Sequence, residues 1–152
     1  MHGAAKQIRT LRMALLCAAC LLSSREVDAD APAGHFEVDD DVVMDTKTKL
    51  NWQRKVTKDS LGFANAASYC AELDLVGSGW RLPTMKELHT LVDETRTLPA
   101  LDTEVFKGTP PIFFWTSSRV ASFNQYVWAV NFAEGTDAWF AEETPRSVRC
   151  VR

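Results

Sequence analysis

Residues 80–88, Trp-Arg-Leu-Pro-Thr-Met-Lys-Glu-Leu, predict the start of a helix directly behind a buried aromatic residue, Trp80. Pro83 favours an extended conformation in the residue before it and ends whatever element precedes it. Thr84 and Glu87 have the spacing of a capping box, in which the hydroxyl and the carboxylate each accept a hydrogen bond from a free backbone N–H at the helix start. We therefore expect Glu87 to be structural and to accept from the N–H of Thr84.

Apolar residues continue the helical pattern beyond this start. They share one face and predict a helix that runs to about Asp93; they are Met85, Leu88, Leu91 and Val92. Arg81 stands just before the helix. We expect it to be structural as well, paired with a carboxylate or with carbonyl groups near a sheet.

The same nine residues resemble the Trp-Arg-Leu-Pro-Thr-x-x-Glu-Leu signature of the Lcl C-terminal domain family, a bacterial extracellular domain. Five more segments resemble that family in its order, namely residues 43–53, 67–70, 114–118, 128–132 and 148–152. The resemblance covers about residues 36–152. The chain departs from the family pattern at two places. Asp39-Asp40-Asp41 replaces a Gly-Asp-Gly-type turn, and Lys49 stands where the family has a glycine before leucine.

Residues 1–29 have the features of a secretory signal peptide. A basic n-region precedes an apolar run at 13–22, which is too short for a membrane span and right for a signal. Small residues favour cleavage after Ala29, and lipoprotein acylation at Cys20 is the alternative. Both predict export to the periplasm, to the outer membrane if lipidated, or to the outside. Residues 30–34 are then a short linker and residues 35–152 the domain, with no membrane span after processing.

Cys70 and Cys150 are the two cysteines that follow residue 29. Cys20 would also stay in the mature chain if it were lipidated. In an oxidising compartment a disulfide is the simplest use of such a pair. It would close most of the domain into one loop and stabilise it by about 4 kcal/mol in the chain-entropy model. A redox or metal role is the alternative. Neither a Cys-x-x-Cys motif nor a His/Cys cluster follows residue 29 to support that role.

Cys70 lies in the first predicted helix and Cys150 in the last predicted strand. Together with two short helices and a closing antiparallel sheet, a disulfide between them resembles the C-type lectin-like fold. We therefore predict an α+β domain of that fold with a long ordered loop; the motif residues Trp80, Arg81, Pro83, Thr84 and Glu87 are structural. The formylglycine-generating enzymes are distantly similar, but they use a late pair of cysteines and only Cys150 lies late here. We predict no enzyme activity, no catalytic residues, no cofactor and no metal.

The net charge limits the classes of partner that the protein can bind. Without residues 1–29 the chain has 13 basic and 18 acidic residues, a net charge of −5. Such a balance argues against nucleic acid or an anionic membrane as the main partner. It leaves room for a local basic patch and for an oligomer.

Periodicity and turn residues place the other elements. Strands are predicted over residues 36–38, 42–44, 50–53, 113–118, 126–132, 138–140 and 146–152. Ser60 is predicted to cap a first helix. Asp39-Asp40-Asp41 is interpreted as a solvated acidic turn, because the spacing of a calcium loop is absent. Leu98–Pro111 is predicted to be a long ordered loop.

A ligand surface is predicted from the Leu98–Pro111 loop, the Ser117–Gln125 connection and the Glu134–Asp137 turn. Its candidate ligand-binding residues are Lys107, Ser118, Arg119, Asn124, Gln125 and Tyr126. Arg119 and Lys107 are the natural anchors for a sulfated ligand. Because the net charge opposes such a ligand, neutral glycans and proteins rank no lower. Most of the five tryptophans are expected in the core, and one or two at most at a site.

The resemblance implies the function. The family takes its name from an adhesin whose C-terminal domain binds sulfated glycosaminoglycans, so we expect a secreted or envelope-attached, non-enzymatic binding module for a glycan or a surface protein. A structural or assembly role in the cell envelope is the alternative. An enzyme of the formylglycine-generating type is the third hypothesis.

Overall fold

The computed structural model describes residues 35–152. In chain order the elements are β1 (Phe36–Val38), β2 (Val42–Asp45), β3 (Asn51–Gln53), α1 (Phe63–Glu72), α2 (Met85–His89), β4 (Phe113–Val120), β5 (Phe123–Asn131) and β6 (Thr136–Ala141). The signal peptide predicted at 1–29, with its cleavage site and with Cys20, and the linker predicted at 30–34 lie outside the described residues. Two antiparallel sheets and two helices make the domain α+β, as predicted.

The first sheet is formed by β1, β2 and β3 in that order. The three aspartates at 39–41 form the turn from β1 to β2, where the N–H of Asp39 donates to the carbonyl of Val42 at 2.9 Å. The side chain of Asp41 pairs with Lys55 at 2.9 Å, and both are largely exposed. The acidic run is therefore a solvated turn.

The turn from β2 to β3 places a lysine in the left-handed region of backbone space. Lys49 has a φ of 63°, and its N–H donates to the carbonyl of Asp45 at 2.8 Å. The buried carboxylate of Asp45 accepts from the N–H groups of Lys47 and Thr48 at 2.8 and 3.2 Å. Burial opposes ionisation, but these bonds, together with the Thr48 hydroxyl and nearby His35, hold the pKa of Asp45 below its usual range.

The second sheet is formed by β4, β5 and β6. The prediction of a Ser117–Gln125 connection is wrong, because β4 and β5 continue to a turn at residues 121–122. Arg119 lies opposite Val127, and Val120 lies opposite Phe123. The polar composition of this stretch resembles that of a loop, but its backbone groups belong to a hairpin. Likewise, the last two residues of the predicted 134–137 turn belong to β6.

Residues 146–152 pass between the two sheets. The backbones of Asn51 and Arg152 exchange hydrogen bonds of 2.8 and 2.9 Å, and the N–H of Trp115 donates to Ser147 at 3.0 Å. The prediction of one continuous last strand is wrong, because the segment leaves one sheet for the other. It makes isolated bridges to Trp52, Leu61, Arg81 and Phe114.

A disulfide joins Cys70 of α1 to Cys150 of this terminal segment, as predicted. Both cysteines are fully buried. They belong to a hydrophobic cluster on the α1 side of the second sheet, with Trp80, Trp115 and Val127. A second cluster on the other side contains Trp52, Leu88, Phe106, Phe114 and Val130. The disulfide therefore ties the helix to the segment on which both sheets meet.

The bounds of both helices differ from the predictions. Gly62, and not Ser60, is the N-cap of α1, because the backbone of Leu61 is still extended and bonded to Arg146 at 2.9 Å. The second helix ends at His89 instead of Asp93. Beyond it the chain tightens into a turn in which the N–H of Leu91 donates to Leu88 at 3.2 Å. Within residues 35–152 neither helix has the length and apolar character needed to cross a bilayer.

The Leu98–Pro111 loop is packed against the second cluster. Ala100, Leu101 and Phe106 are buried in it, and the N–H of Ala100 donates to the carbonyl of Phe132 at 2.6 Å. Much of this loop therefore serves the core and is not available as ligand surface.

Arg149 is fully buried beside this loop. Its guanidinium donates to the carbonyls of Gln53 and Arg54 at 2.6 and 3.0 Å and to the hydroxyl of Thr109 at 2.6 Å. It also lies 4.6 Å from the ring centre of Phe106. Burial lowers the pKa of Arg149 to about 9, so the group stays charged at neutral pH and fastens the loop to β3.

Candidate functional site

A groove of about 730 Å³ lies between α2 and the β4–β5 hairpin. Its lining combines an aromatic ring and a thioether with hydroxyl, imidazole and cationic groups: Thr84, Met85, Lys86, His89, Ser118, Arg119 and Trp128. An apolar concavity with a few convergent polar groups is the common form of a small-ligand site. We take this groove as the candidate site.

The helix side of the groove is held by a capping box. The Glu87 N–H donates to the Thr84 hydroxyl at 3.2 Å, and the Thr84 N–H donates to the Glu87 carboxylate at 2.7 Å, as predicted. The carboxylate also receives two bonds from Arg81, at 2.8 and 2.7 Å. The predicted partner of Arg81 is thus the capping glutamate itself.

The ion pair shifts the pKa values of both Glu87 and Arg81. The bonds from Arg81, and then the backbone and hydroxyl of Thr84, lower the pKa of Glu87 to about 2 against the opposing effect of burial. The same carboxylate raises the pKa of Arg81. Both groups are fully charged at neutral pH, so the N-terminus of α2 is fixed in place.

Backbone contacts join this helix to the sheet. The N–H of Met85 donates to the Ser118 hydroxyl at 3.0 Å, and the N–H of Ser117 donates to the carbonyl of Pro83 at 2.7 Å. Ser118, a predicted ligand residue, therefore lines the groove and also positions it.

Two aromatic rings, Tyr126 and Trp139, continue from the groove on the face of the sheet that carries Trp128, and Phe123 at the hairpin turn contacts Tyr126; we call these three rings the aromatic strip. The centroid of Tyr126 lies 4.8 Å from that of Trp139 and 6.3 Å from that of Phe123, in edge-to-face arrangements. Trp139 lies directly opposite Trp128, which lines the groove. Phe123 is 57% exposed and Trp139 51%. The strip therefore extends the groove as an open apolar surface.

Charged side chains border the groove. His89 of α2 approaches Asp137 of β6, with 3.7 Å between Nε2 and Oδ1. Lys86 is exposed, and no ion pair involves it among residues 35–152. Within those residues no three metal-ligating side chains gather closely enough to hold an ion.

The structure separates the two predicted anion anchors from each other. Arg119 borders the groove, but its guanidinium lies 5.0 Å from the ring centre of Phe63 and pairs with Glu142. Lys107 lies in the long loop and approaches Glu104 at 3.7 Å.

The remaining predicted residues lie on β5. The backbone carbonyl of Asn124 accepts from Arg119, and that of Gln125 accepts from the N–H of Glu142 at 3.3 Å. Both side chains are exposed, and Tyr126 belongs to the aromatic strip.

Sequence reasoning missed the helix wall and the second half of the aromatic surface. The sequence predicts a helix over the stretch that holds Met85, Lys86 and His89 and a strand over 138–140, but it assigns none of these residues or Trp139 to the ligand surface. A signal for the tryptophans is present: Trp128 shares the period-two face of Tyr126, and Trp139 follows the next turn. Trp52, Trp80 and Trp115 are buried, as predicted for most of the five tryptophans, whereas Trp128 is half-buried and Trp139 is exposed.

The family model described as the Lcl C-terminal domain matches residues 41–152. The match begins in the turn before β2 and includes every later element, with both cysteines of the disulfide and the whole lining of the groove. No curated protein matches the chain.

Proposed function

The chain belongs to the Lcl C-terminal domain family, and from this we propose that it is an exported, non-enzymatic binding module of the adhesin type. The groove and its aromatic strip are the observation that carries the proposal. Soluble domains seldom leave large rings exposed side by side unless a ligand or partner covers them. Here the exposed ring of Trp139 shares one face of the sheet with a groove of about 730 Å³, and exposed Phe123 is joined to it through Tyr126.

We propose a C-type lectin-like arrangement for the fold. It is supported by the two short helices, the two antiparallel sheets and the disulfide between α1 and the terminal segment. The packed loop at 98–111 corresponds to the long ordered loop of that arrangement. In such a scaffold the rigid sheet can present a binding surface at one edge.

Export is part of the proposal. A disulfide buried in the core is stable in an oxidising compartment and is rare in the cytosol. The predicted signal peptide at residues 1–29 would deliver the chain to such a compartment. The location is then periplasmic, extracellular or, with acylation at Cys20, the outer membrane.

The ligand is a glycan or a surface protein. The rings supply apolar contact area, and the groove adds hydrogen-bonding groups at Ser118, Thr84 and His89. All of these groups are held by secondary structure on both sides, so the surface loses little conformational entropy when it binds.

A binding screen tests the proposal. The purified protein is screened against immobilised glycans and surface-protein extracts, with and without a chelator. We expect saturable binding that the chelator leaves unchanged. Lys86→Ala should weaken the binding because Lys86 borders the groove, whereas Lys58→Ala, at an exposed lysine outside the groove lining, should not. Equal binding by both variants and the parent would place the site elsewhere; no binding to either class of ligand would overturn the function.

A further inference from the structure

We propose that the ligand is a neutral oligosaccharide that stacks on the aromatic strip beside the groove. This inference rests on the proposed function and narrows its ligand class. It differs from the sulfated ligand that the resemblance implies.

The strip has the shape of a stacking platform. Its rings meet edge to face, at 4.8 and 6.3 Å between centroids, so each ring supports its neighbour without lying flat against it. About half of Trp139 and more than half of Phe123 are in contact with solvent. Trp139 also sits on a strand paired along its whole length with β5, so the ring is presented by a rigid element.

Sugar chemistry fits such a platform. One face of a pyranose carries several C–H bonds with slight positive charge, and the face of an aromatic ring is slightly negative. The sugar hydroxyls then need neutral donors and acceptors at the rim. Asn124 is exposed two residues before Tyr126 on the same strand face and supplies an amide group of this kind.

The charges at this surface disfavour a sulfated chain. The guanidinium of Arg119 is already engaged by the carboxylate of Glu142 and the carbonyl of Asn124. A sulfate would have to displace Glu142, and Asp137 on β6 would repel it. Lys107 is paired with Glu104 and lies outside the groove lining. Lys86 remains as the one cation of the groove lining without an ion partner in the described chain, which is too little for a polyanion.

The small extent of the surface disfavours a protein partner. A stable protein interface buries roughly 800 Å² on each side with a large apolar centre. The strip consists of three rings, and the residues beside Phe123 in sequence, Ser122, Asn124 and Gln125, are polar and exposed. A chain of sugars, which needs only a narrow row of ring faces, suits it better.

The experiment is calorimetric titration of the purified protein with neutral hexasaccharides of glucose, mannose and N-acetylglucosamine and with a heparin hexasaccharide. We expect at least one neutral probe to bind, and to bind more tightly than heparin. Trp139→Ala should weaken that binding about tenfold, the loss expected for one stacking ring. Trp139→Phe should restore part of it. Val38→Ala, which also removes exposed apolar surface but from β1, should have no effect.

The outcomes separate the inference from the function. Heparin binding without neutral binding would overturn the inference and leave the proposed function standing. Neutral binding that survives Trp139→Ala in a folded variant would likewise place the sugar elsewhere. If no sugar binds while a surface protein does, the ligand class is wrong; if nothing binds, both proposals fail.

Discussion

Arg81 and Glu87 form a two-point ion pair across the start of α2, with 2.8 Å from Nη1 to Oε2 and 2.7 Å from Nη2 to Oε1. The same carboxylate accepts from the backbone and hydroxyl of Thr84, at 2.7 and 3.0 Å. One side chain therefore starts the helix and also fixes it to the residue that pairs with Val151 in the terminal segment.

Glu87→Gln should reduce stability at neutral pH, and the loss should vanish in acid. The pKa of Glu87 is about 2 in the folded chain against an ordinary value of 4.5. The stabilisation by the ionised group is therefore complete above about pH 4.5 and is lost as the pH falls towards 2. The measurement is the difference in urea midpoint between parent and variant across that range. Glu143→Gln, at an exposed glutamate, should show no such trend; a difference that stays constant with pH would contradict the prediction.

Replacing both Cys70 and Cys150 by serine should lower the free energy of unfolding by about 4 kcal/mol. The bridge spans 80 residues of sequence, so its loss releases most of the domain in the unfolded state. Denaturant unfolding measures the change. Mass spectrometry of the unreduced parent is the control and should find no free thiol at either cysteine; two free thiols would refute the premise.

Arg149→Met should destabilise the protein by about 3 kcal/mol, because it leaves two carbonyls and a hydroxyl in the core without their donor. The stability of Arg149→Lys should lie between that of the parent and that of Arg149→Met, since an ammonium cannot reach all three acceptors as the planar guanidinium does. Chemical denaturation gives the values, and Lys58→Met serves as a surface control. If Arg149→Met proved as stable as the parent, the guanidinium would be dispensable to the core.

Lys49→Gly should stabilise the protein by about 1 kcal/mol, because a side chain in the left-handed region is strained and glycine is not. Lys49→Ala removes the same charge but keeps the strain, so it should bring no gain. Thermal unfolding of the three proteins decides between backbone and charge effects. An equal gain from alanine would show that charge, and not φ, is responsible.

Local signals predicted the local structure well. The capping box at Thr84 and Glu87, the buried Trp80 and the Cys70–Cys150 bridge are all present as predicted. These features depend on a few neighbouring residues or on the count of cysteines. Ser60 failed as a cap because the backbone before Gly62 is engaged by a distant partner, Arg146, which no local pattern records.

The site was predicted only in part for the same reason. Ser118 and Tyr126 were chosen for their chemistry, and both lie at the groove or its strip. Arg119 is predicted as an anchor for a sulfated ligand, but its guanidinium pairs with Glu142, the residue directly after β6. Whether an arginine is free depends on tertiary pairing, and the sequence alone does not show it.

The terminal segment at 146–152 has a consequence for the order of events in folding. It supplies backbone partners to both sheets and to residues 61 and 81, and half of the disulfide. During synthesis, residues 35–145 leave the ribosome before these partners do. The native contacts therefore close late and over long sequence distances, a topology associated with slow folding. Until residues 146–152 have been synthesised, both sheets lack these backbone partners and Cys70 lacks the cysteine to which it is bonded in the folded domain.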